Sequence, residues 1–569
     1  MNGAVAPRWE FPPAQDISAL LAADAPPVVA RLLAGRGIDS ERKLREFLHP
    51  PHRLPYDPLR LSGMDVAVQR LYRAVERGET AGIFGDFDVD GITGTAIICE
   101  GLTALGVSAI PYLPSRTDEG HGLSTTAVDA LINAGASLIV TVDTGITDAV
   151  PVAHANSRGA DVIITDHHVP SHELPPAAAC INPHLPQGEL PLFQYPFSDL
   201  CGAGIAFKLV QGLYEFLGQP WNPALLELAA LGTVADLVPL LDENRYIVSE
   251  GIRRIAETRR PGLLALCQTA RLSPDALDTE AISFQIVPRL NSAGRMGDPM
   301  DSLRLLTTAS PEEAADLAHK LDALNRERRD ATSDALELAY AQVDAMPSLP
   351  SVLIVADEGI LPGVAGLVAG RLSERYQRPS VALSLGEGYA VASARSIPGF
   401  SVIDAVQSVE DLLTRYGGHS QAAGFTVARR DLDEAALRLQ SYADERLNTA
   451  DLTPTLRIDA EASLNELTRD AKEWLAALEP FGKGNPRPVF ASTGVRVLDA
   501  QHMGYSQQHL RLRVEQGGSE MTALAFGQGD AWEPDLARLD LAYTLMEDTH
   551  QPGNPLALRV TNFRPAQGA

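Results

Sequence analysis

The chain has 569 residues, and its 73 acidic and 47 basic side chains give a net charge of −26. That charge argues against a protein that coats nucleic acid by bulk electrostatic attraction, although a narrow basic channel is still compatible with it. No apolar stretch is long enough for a transmembrane helix, and the first residues lack the charged and apolar regions of a signal peptide. The length predicts three or four domains.

The four cysteines are widely spaced and form no C-x-x-C pair. They are Cys99, Cys180, Cys201 and Cys267. This spacing predicts reduced core residues and neither zinc ligands nor disulfides, so we expect a cytoplasmic protein.

The first half of the chain changes from a mixed segment to an alternating pattern. Residues 1–75 are partly basic and predict a helical or capping segment. From about residue 80 to 185, β-rich runs alternate with helical patterns, which predicts a doubly wound, mostly parallel sheet. The predicted strands are 81–88, 107–113, 137–143 and 161–166.

The second half predicts two further domains. Residues 200–340 have helical spacing, and we expect a long connecting helix over 321–350. A second α/β unit follows over 351–446, with strands at 351–357 and 380–385. After a linker at 447–456, five β-like runs predict an OB-type β-barrel over 455–569. The fold class is therefore multidomain α/β with a C-terminal barrel.

Residues 85–94, GDFDVDGITG, open like a calcium-binding EF-hand loop. Such a loop needs a bidentate glutamate at its twelfth position and helices on both sides. Counting from Asp86, the twelfth position is Ile97, which cannot bind a cation. A predicted strand also precedes the motif, so the pattern indicates an acidic strand-to-helix turn of an α/β enzyme.

Acidic and imidazole side chains follow three of the predicted strands. The first of these strands ends in Asp86, Asp88 and Asp90, a later one in Asp143, and the next in Asp166-His167-His168. Ligands of doubly wound sheets bind beyond the carboxyl ends of the strands, so these groups are expected to face one crevice. Clustered carboxylates need cations to stay ionised, and carboxylate with imidazole suits Mn²⁺ or Mg²⁺. Asp236, an acid in an apolar run, is a further candidate.

The ordered motifs resemble a known family. GDFDVDGITG, TVDTG, TDHH and GTVADLVPL are similar to the motifs of the DHH phosphoesterase superfamily. PRLNSAGRM, LNRER, SARSIPGF, YGGHSQAAGF and LEPFGKGNPRPVF extend the resemblance to the RecJ-type single-stranded-DNA-specific exonucleases. The resemblance implies a DHH catalytic domain over 76–320 on which residues 1–75 pack, a DHHA1-like substrate-binding domain over 351–446, and an OB-fold nucleic-acid-binding domain.

The resemblance also implies roles for individual residues. Metal ligands or catalytic groups of a two-cation site would be Asp86, Asp88, Asp90, Asp143, His167, His168 and Asp236. Groups that bind substrate phosphates would be Arg116, Arg289, Asn291, Arg295, Ser393, Arg395, Gly417, Gly418 and His419. Capture of a terminal phosphate by Arg116, Ser393 and Arg395 would give 5′→3′ polarity. The chain departs from the usual family pattern at His121 and Leu361.

The expected function is therefore metal-dependent 5′→3′ hydrolysis of single-stranded DNA to 5′-mononucleotides, in repair and recombination. A helicase and a single-strand-binding protein are the expected partners of a monomeric enzyme. One alternative is a DHH-type enzyme that acts on short oligonucleotides or nucleotides. Another is a non-catalytic single-strand-binding relative, which would be expected to have lost some of these acids.

Overall fold

The structure is a computed structural model. It describes residues 7–48, 56–115, 119–185, 195–448, 452–504, 507–533, 536–548, 551–553 and 555–566. These fall into two compact units. One lies within Arg53–Pro454, and the other combines Pro7–His52 with Thr455–Ala569.

The first described elements belong to the second unit. They are β1 (Arg8–Glu10), α1 (Ser18–Leu21), α2 (Pro27–Gly35) and α3 (Glu41–Leu48). Helix α2 buries Val28, Val29, Leu32 and Leu33 in one apolar core with residues of the barrel. The apolar face of this helix is therefore covered by the barrel, and the packing of residues 1–75 on the catalytic domain stays a prediction. Residues 1–6 and 49–55 lie outside the described residues.

The first domain begins with alternating helices and strands. Its elements are α4 (Met64–Arg77), β2 (Thr80–Gly85), α5 (Val89–Ala104), β3 (Ser108–Tyr112), α6 (Thr125–Asn133), β4 (Leu138–Val142), α7 (Ala149–Ser157), β5 (Asp161–Thr165) and β6 (Ala179–Ile181). The strand order is β3-β2-β4-β5-β6 and every pair is parallel. Adjacent residues such as Ile139 and Val140 enter different cores, one shared with α6 and α7 and one with α4 and α5. The doubly wound parallel sheet is confirmed.

A helical region follows and ends in the long helix. Its elements are α8 (Gly202–Phe216), α9 (Leu225–Ala235), α10 (Asp242–Ile255), α11 (Pro261–Ala270), α12 (Thr279–Ala281), a π-helical turn at Ile282–Ile286, α13 (Val287–Met296), α14 (Met300–Thr307) and α15 (Pro311–Asp344). Helix α15 begins ten residues before the predicted start, because the Ser310 side chain accepts the N–H of Glu313 and Pro311 occupies the first turn. Among the described helices, none has both the length and the apolar character needed to cross a membrane.

The second domain has a mixed sheet. Its elements are β7 (Leu353–Asp357), α16 (Pro362–Tyr376), β8 (Ser380–Leu385), β9 (Tyr389–Arg395), α17 (Val402–Gln407), β10 (Leu413–His419), β11 (Ala422–Ala428) and α18 (Leu432–Asp444). The strand order is β10-β11-β9-β8-β7, in which β7 and β8 are parallel and the other pairs antiparallel. Both predicted strands are present, and β9, β10 and β11 complete the sheet.

The C-terminal residues form a closed barrel. Their elements are β12 (Thr455–Arg457), β13 (Ala460–Glu461), α19 (Arg469–Ala477), β14 (Phe490–Met503), β15 (His509–Gln516), β16 (Ser519–Ala525), β17 (Arg538–Glu547) and β18 (Leu556–Pro565). Strand β14 pairs with both β15 and β17, which closes a five-stranded barrel in the order β14-β15-β16-β18-β17. The predicted OB-type barrel is confirmed. Strand β12 pairs with β1, so part of the predicted linker is structured.

Candidate metal centre

The acidic turn after β2 is a tight strand-to-helix connection. Asp88 caps α5, because its carboxylate accepts the N–H groups of Asp90 at 3.0 Å and of Gly91 at 3.2 Å. A Cβ atom at Gly91 would lie 2.4 Å from the carbonyl oxygen of Asp86, so only glycine fits there. The turn therefore holds Asp86, Asp88 and Asp90 at the carboxyl end of β2, as the sequence predicted.

Asp90 lies against the N-terminus of α8. Its two carboxylate oxygens accept the N–H groups of Gly202 at 2.7 Å and of Ala203 at 2.8 Å. These N–H groups have no partner within the helix, and the helix dipole favours a negative charge at this end. A Cβ atom at Gly202 would also lie 2.5 Å from the Cβ of Asp143. The start of α8 therefore packs closely against two of the candidate ligands.

The imidazole of His167 lies among three carboxylates. Its Nε2 is 3.1 Å from Oδ1 of Asp143, 3.7 Å from Oδ2 of Asp236 and 4.0 Å from Oδ2 of Asp90. Burial lowers the pKa of His167 in spite of the nearby carboxylates. A neutral ring is the form that binds a cation.

Asp166 holds the neighbouring histidine. One of its oxygens accepts the backbone N–H groups of His167 and His168 and lies 2.7 Å from Nδ1 of His168. Its other oxygen accepts the N–H of Ile146 at 3.0 Å. Burial alone would lower the pKa of His168, but the hydrogen bond to Asp166 raises it to about 9. Asp166 therefore fixes both the backbone turn and the orientation of the His168 ring.

The acidic cluster is too crowded to carry its full charge without cations. Burial, followed by the charges of Asp86 and Asp90, raises the pKa of Asp88 to about 7. Burial and the neighbouring acids raise the pKa of Asp143 well above its usual value. Bound cations would favour the ionised forms of both groups.

The donor set fits divalent cations. The residues form three groups in which the potential ligand atoms lie within 4.8 Å of one another: Asp86, Asp88 and Asp143; Asp90, His167 and Asp236; and Asp143, His167 and His168. Among the described residues, the buried Oδ1 atoms of Asp86 and Asp143 have no hydrogen-bond donor, so each has a lone pair available for a cation. Hard oxygen donors with imidazole and no thiolate suit Mn²⁺ or Mg²⁺. The structure thus brings together all the predicted metal-binding side chains.

The predicted phosphate-binding residues of the second domain lie at two places. Ser393 and Arg395 are on β9, and their side chains lie close to Gly366 of α16. A Cβ atom at Gly366 would be 3.6 Å from Ser393 Oγ and 3.0 Å from Arg395 Nη2. Gly417, Gly418 and His419 end β10, and the rings of His419 and His168 stack with centroids 5.8 Å apart and planes 9° apart. The second contact joins the second domain to the acidic cluster. Arg116 lies outside the described residues.

The predicted substrate contacts on α13 have partners within the protein. Arg289 forms an ion pair with Asp322 on α15, with Nη2 and Oδ1 3.0 Å apart. The Oδ1 of Asn291 accepts the N–H of Val89 at 3.1 Å, and Nη1 of Arg295 donates to the carbonyl of Gly363 at 3.2 Å. These contacts position α13 against the acidic turn and the second domain. A role of these three residues in DNA binding stays a prediction.

Some contacts beside the acidic cluster were not predicted from the sequence. His121 lies with Nδ1 3.5 Å from Oδ2 of Asp86 and its ring centroid 4.5 Å from that of Phe87. Asp148 accepts the N–H of Leu123 at 2.6 Å and so anchors the same loop. The proximity of His121 to Asp86 depends on the fold, and no spacing in the sequence indicates it.

Family models match three parts of the chain. The DHH family N-terminal domain matches residues 80–233, the DHHA1 domain residues 349–445, and the RecJ OB domain residues 458–562. The matches agree with the three domain types that the sequence analysis expected.

Curated relatives match nearly the whole chain. The single-stranded-DNA-specific exonuclease RecJ of Salmonella typhimurium is 37% identical over 93% of this chain and 94% of its own length. The Escherichia coli protein of the same name is 35% identical over 97% of this chain and 98% of its own length. The Bacillus subtilis protein is 36% identical over 89% of this chain, which spans 64% of that longer relative.

Solved structures of RecJ proteins are also similar to this chain. The structure of RecJ from Thermus thermophilus in complex with Mn²⁺ has a TM-score of 0.83 and 31% identity, covering 98% of this chain and 79% of that one. A structure of exonuclease RecJ bound to manganese has a TM-score of 0.61 and 34% identity, covering 70% of this chain and all of that one.

Proposed function

Because the chain belongs to the RecJ family of single-stranded-DNA-specific exonucleases, we propose that it hydrolyses single-stranded DNA from the 5′ end and releases 5′-mononucleotides. The observation that carries the proposal is the intact acidic cluster, in which seven carboxylate and imidazole side chains from three strand ends and α9 converge. A non-catalytic relative would not need to keep this whole set, since each buried acid is costly without a cation.

Divalent cations fit this cluster. Asp86, Asp88, Asp90, Asp143, His167, His168 and Asp236 would hold two of them, Mn²⁺ or Mg²⁺. When bound, such cations supply Lewis acidity that lowers the pKa of water and neutralises charge developing on a phosphodiester. The relatives of known structure that contain Mn²⁺ or Mg²⁺ support this choice of metal.

The protein's own residues prepare the site for the reaction. The N–H groups of Gly202 and Ala203 hold Asp90 in one orientation, and Asp166 does the same for His168. Groups that are already oriented do not have to move during the reaction. A fixed arrangement of charges therefore stabilises a developing charge more effectively than mobile groups. His419, stacked on His168, places the second domain beside the scissile phosphate in this proposal.

The polarity of hydrolysis would come from the second domain. Ser393 and Arg395 are hydroxyl and guanidinium groups suited to the terminal 5′-phosphate, and Arg116 is proposed to join them. A terminal phosphate held there would place the first phosphodiester of the strand at the acidic cluster. We further propose that the space between the two domains admits one strand and not a duplex. Rapid degradation of blunt duplex would contradict that part.

The cellular setting is part of the same proposal. The protein would act in the cytoplasm as a monomer during DNA repair and recombination. A helicase would supply the single strand, and a single-strand-binding protein would keep it free of secondary structure. Support for this setting comes from the substrate named for the relatives.

A time course on internally labelled single-stranded DNA with Mn²⁺ tests the activity. Strands with a free 5′-phosphate are compared with strands blocked at the 5′ or the 3′ end. We expect mononucleotides from the free and 3′-blocked strands, and none from the 5′-blocked strand. Binding without cleavage would favour the non-catalytic alternative. Hydrolysis of dinucleotides alone would favour a small-substrate enzyme.

A further inference from the structure

Strand β10 directs alternate side chains toward the acidic cluster. Residues i, i+2 and i+4 of a strand share one face, so Arg415, Gly417 and His419 lie on the same face of β10. The pairing with β11 keeps one register over this stretch, from Arg415 opposite Thr426 to His419 opposite Ala422, although Gly418 has a φ of 139°. Because the ring of His419 stacks on His168, the face that carries Arg415 is the one that faces the first domain.

The guanidinium of Arg415 reaches the first domain. Its Nη1 and Nη2 atoms lie 3.5 Å and 3.9 Å from the position that a Cβ atom would take at Gly120. The backbone of Gly120 is held in place, because its N–H donates to the carbonyl of Ser115 at 3.1 Å. The next residue is His121, whose ring lies beside Asp86. Arg415 is therefore placed across the domain junction from the loop that borders the acidic cluster.

The described residues provide no acidic partner for Arg415. Among them, no hydrogen bond or ion pair joins its exposed guanidinium to a carboxylate. Tyr416, which points to the other face, donates its hydroxyl to Glu410. A guanidinium that has no carboxylate partner among the described residues, in a chain with a net charge of −26, is suited to an anionic ligand.

We propose that Arg415 binds a backbone phosphate of the single strand downstream of the nucleotide being removed, and that it thereby sets the preference for long strands over short ones. Four residue steps along β10 separate Arg415 from His419, which is roughly 13 Å at about 3.3 Å per residue. That distance corresponds to about four nucleotides at the roughly 3.4 Å rise of a B-form strand, and to fewer when the strand is stretched. Gly417 lies between Arg415 and His419 and has no side chain, which leaves room on this face of β10 for the DNA strand.

This inference rests on the proposed function, and the variant Arg415→Gln tests it. The quantity measured is the length preference, which is kcat/KM for a strand of about 20 nucleotides divided by kcat/KM for a trinucleotide. We expect Arg415→Gln to lower the length preference about tenfold, because a charged phosphate contact is lost, and to reduce the salt dependence of kcat/KM by about one phosphate contact. Arg415→Lys keeps the charge and should retain the salt dependence.

Arg430→Gln is the matched control. Arg430 lies in the same domain, is exposed and pairs only with the adjacent Asp431, at 3.4 Å, among the ion pairs described. Arg430 follows β11 at the end opposite to Ala422, which pairs with His419. The variant therefore removes the same charge away from the acidic cluster, and the length preference should not change. Circular dichroism melting curves of both variants establish that each is folded. An unchanged length preference and salt dependence in Arg415→Gln would overturn the proposal.

A binding measurement separates failure of this inference from failure of the proposed function. Fluorescence anisotropy with a 5′-phosphorylated strand of about 20 nucleotides, in the absence of metal, needs no hydrolysis. If wild-type protein binds the strand in this assay but cleaves none of it after Mn²⁺ is added, the proposed function fails. A Kd about tenfold weaker for Arg415→Gln than for Arg430→Gln would still support the role of Arg415. Equal Kd values for the two variants would reject it.

Discussion

The Nε2 atom of His167 lies 3.1 Å from Oδ1 of Asp143, although 24 positions separate the two residues in the chain. They follow neighbouring parallel strands, β5 and β4, and the parallel pairing brings both strand ends to the same edge. Asp143 has a positive φ of 62°, which few residues other than glycine adopt. The backbone is thus held in an unfavourable conformation at the point where a ligand is needed.

Replacing Asp143 should abolish hydrolysis without unfolding the protein. Asp143→Asn removes a ligand charge, and losing about 4 kcal/mol of transition-state stabilisation would lower kcat about a thousandfold. The metal-free variant should be at least as stable as the wild type in urea, because a crowded buried charge is gone. Asp161→Asn, at the amino end of β5, is the control and should keep kcat within about twofold. A kcat for Asp143→Asn within tenfold of wild type would contradict the assignment.

The start of α8 offers a paired test of geometry. Gly202→Ala would place a Cβ atom 2.5 Å from the Cβ of Asp143, so the helix or the aspartate must shift. Gly204→Ala, two residues later, meets its nearest atom, in Leu200, only at 3.4 Å. We expect kcat to fall at least about a hundredfold in the first variant and by less than about threefold in the second. Similar kcat values for the two would show that the position of Asp143 does not matter.

Metal binding should release protons near neutral pH. The pKa of Asp88 is raised to about 7 from an ordinary value of 3.8, so this carboxyl keeps a proton that the unfolded chain has already lost. The metal-free protein should therefore lose stability as the pH rises from about 4 to about 7. Over the same window the affinity for Mn²⁺ should rise, because the cation displaces that proton.

Calorimetric titration with Mn²⁺ in buffers of different ionisation enthalpy measures this release. We expect about one or more protons released per chain near pH 6 and fewer near pH 8 as Asp88 ionises. Binding with no proton exchange at either pH would contradict the raised pKa of the cluster.

The proposed binding of the terminal phosphate can be tested by comparing 5′-phosphorylated with 5′-hydroxyl strands. Arg395→Gln should lower the ratio of kcat/KM for 5′-phosphorylated over 5′-hydroxyl strands about tenfold, since a charge-assisted contact is worth roughly 1.5–3 kcal/mol. Arg371→Gln on α16, an exposed arginine paired with Glu374, is the control. An unchanged ratio in Arg395→Gln would remove the residue from the proposed pocket.

The order of strands and acids along the chain was sufficient to predict the sheet and the convergence of the acidic and imidazole side chains at one edge of it. Each of Asp86, Asp143 and His167 directly follows or closely follows a buried strand, and parallel strands align their carboxyl ends. Because the turns after these strands are short, a residue that follows a strand in the sequence also lies at the carboxyl end of that strand in the structure. This is why the candidate ligands could be identified without any contact between them being known.

Contacts between distant segments could not be predicted in the same way. Asn291 binds the N–H of Val89 across 202 positions, and α2 joins the barrel from the other end of the chain. Both contacts depend on which helices and strands pack together. Many apolar helix and strand faces of similar character could pack on the same surface, so the sequence does not select one. The contact between Asn291 and Val89 was therefore not predicted in detail from the sequence, and a phosphate contact of Asn291 stays a prediction.

A crystal structure of the protein with Mn²⁺ tests the central claim most directly, through anomalous scattering from the metal. Two anomalous peaks among Asp86, Asp88, Asp90, Asp143, His167, His168 and Asp236 are the predicted result, and both should be lost or weakened in Asp143→Asn. No peak within the cluster at saturating Mn²⁺, in crystals of protein that hydrolyses single-stranded DNA, would contradict it.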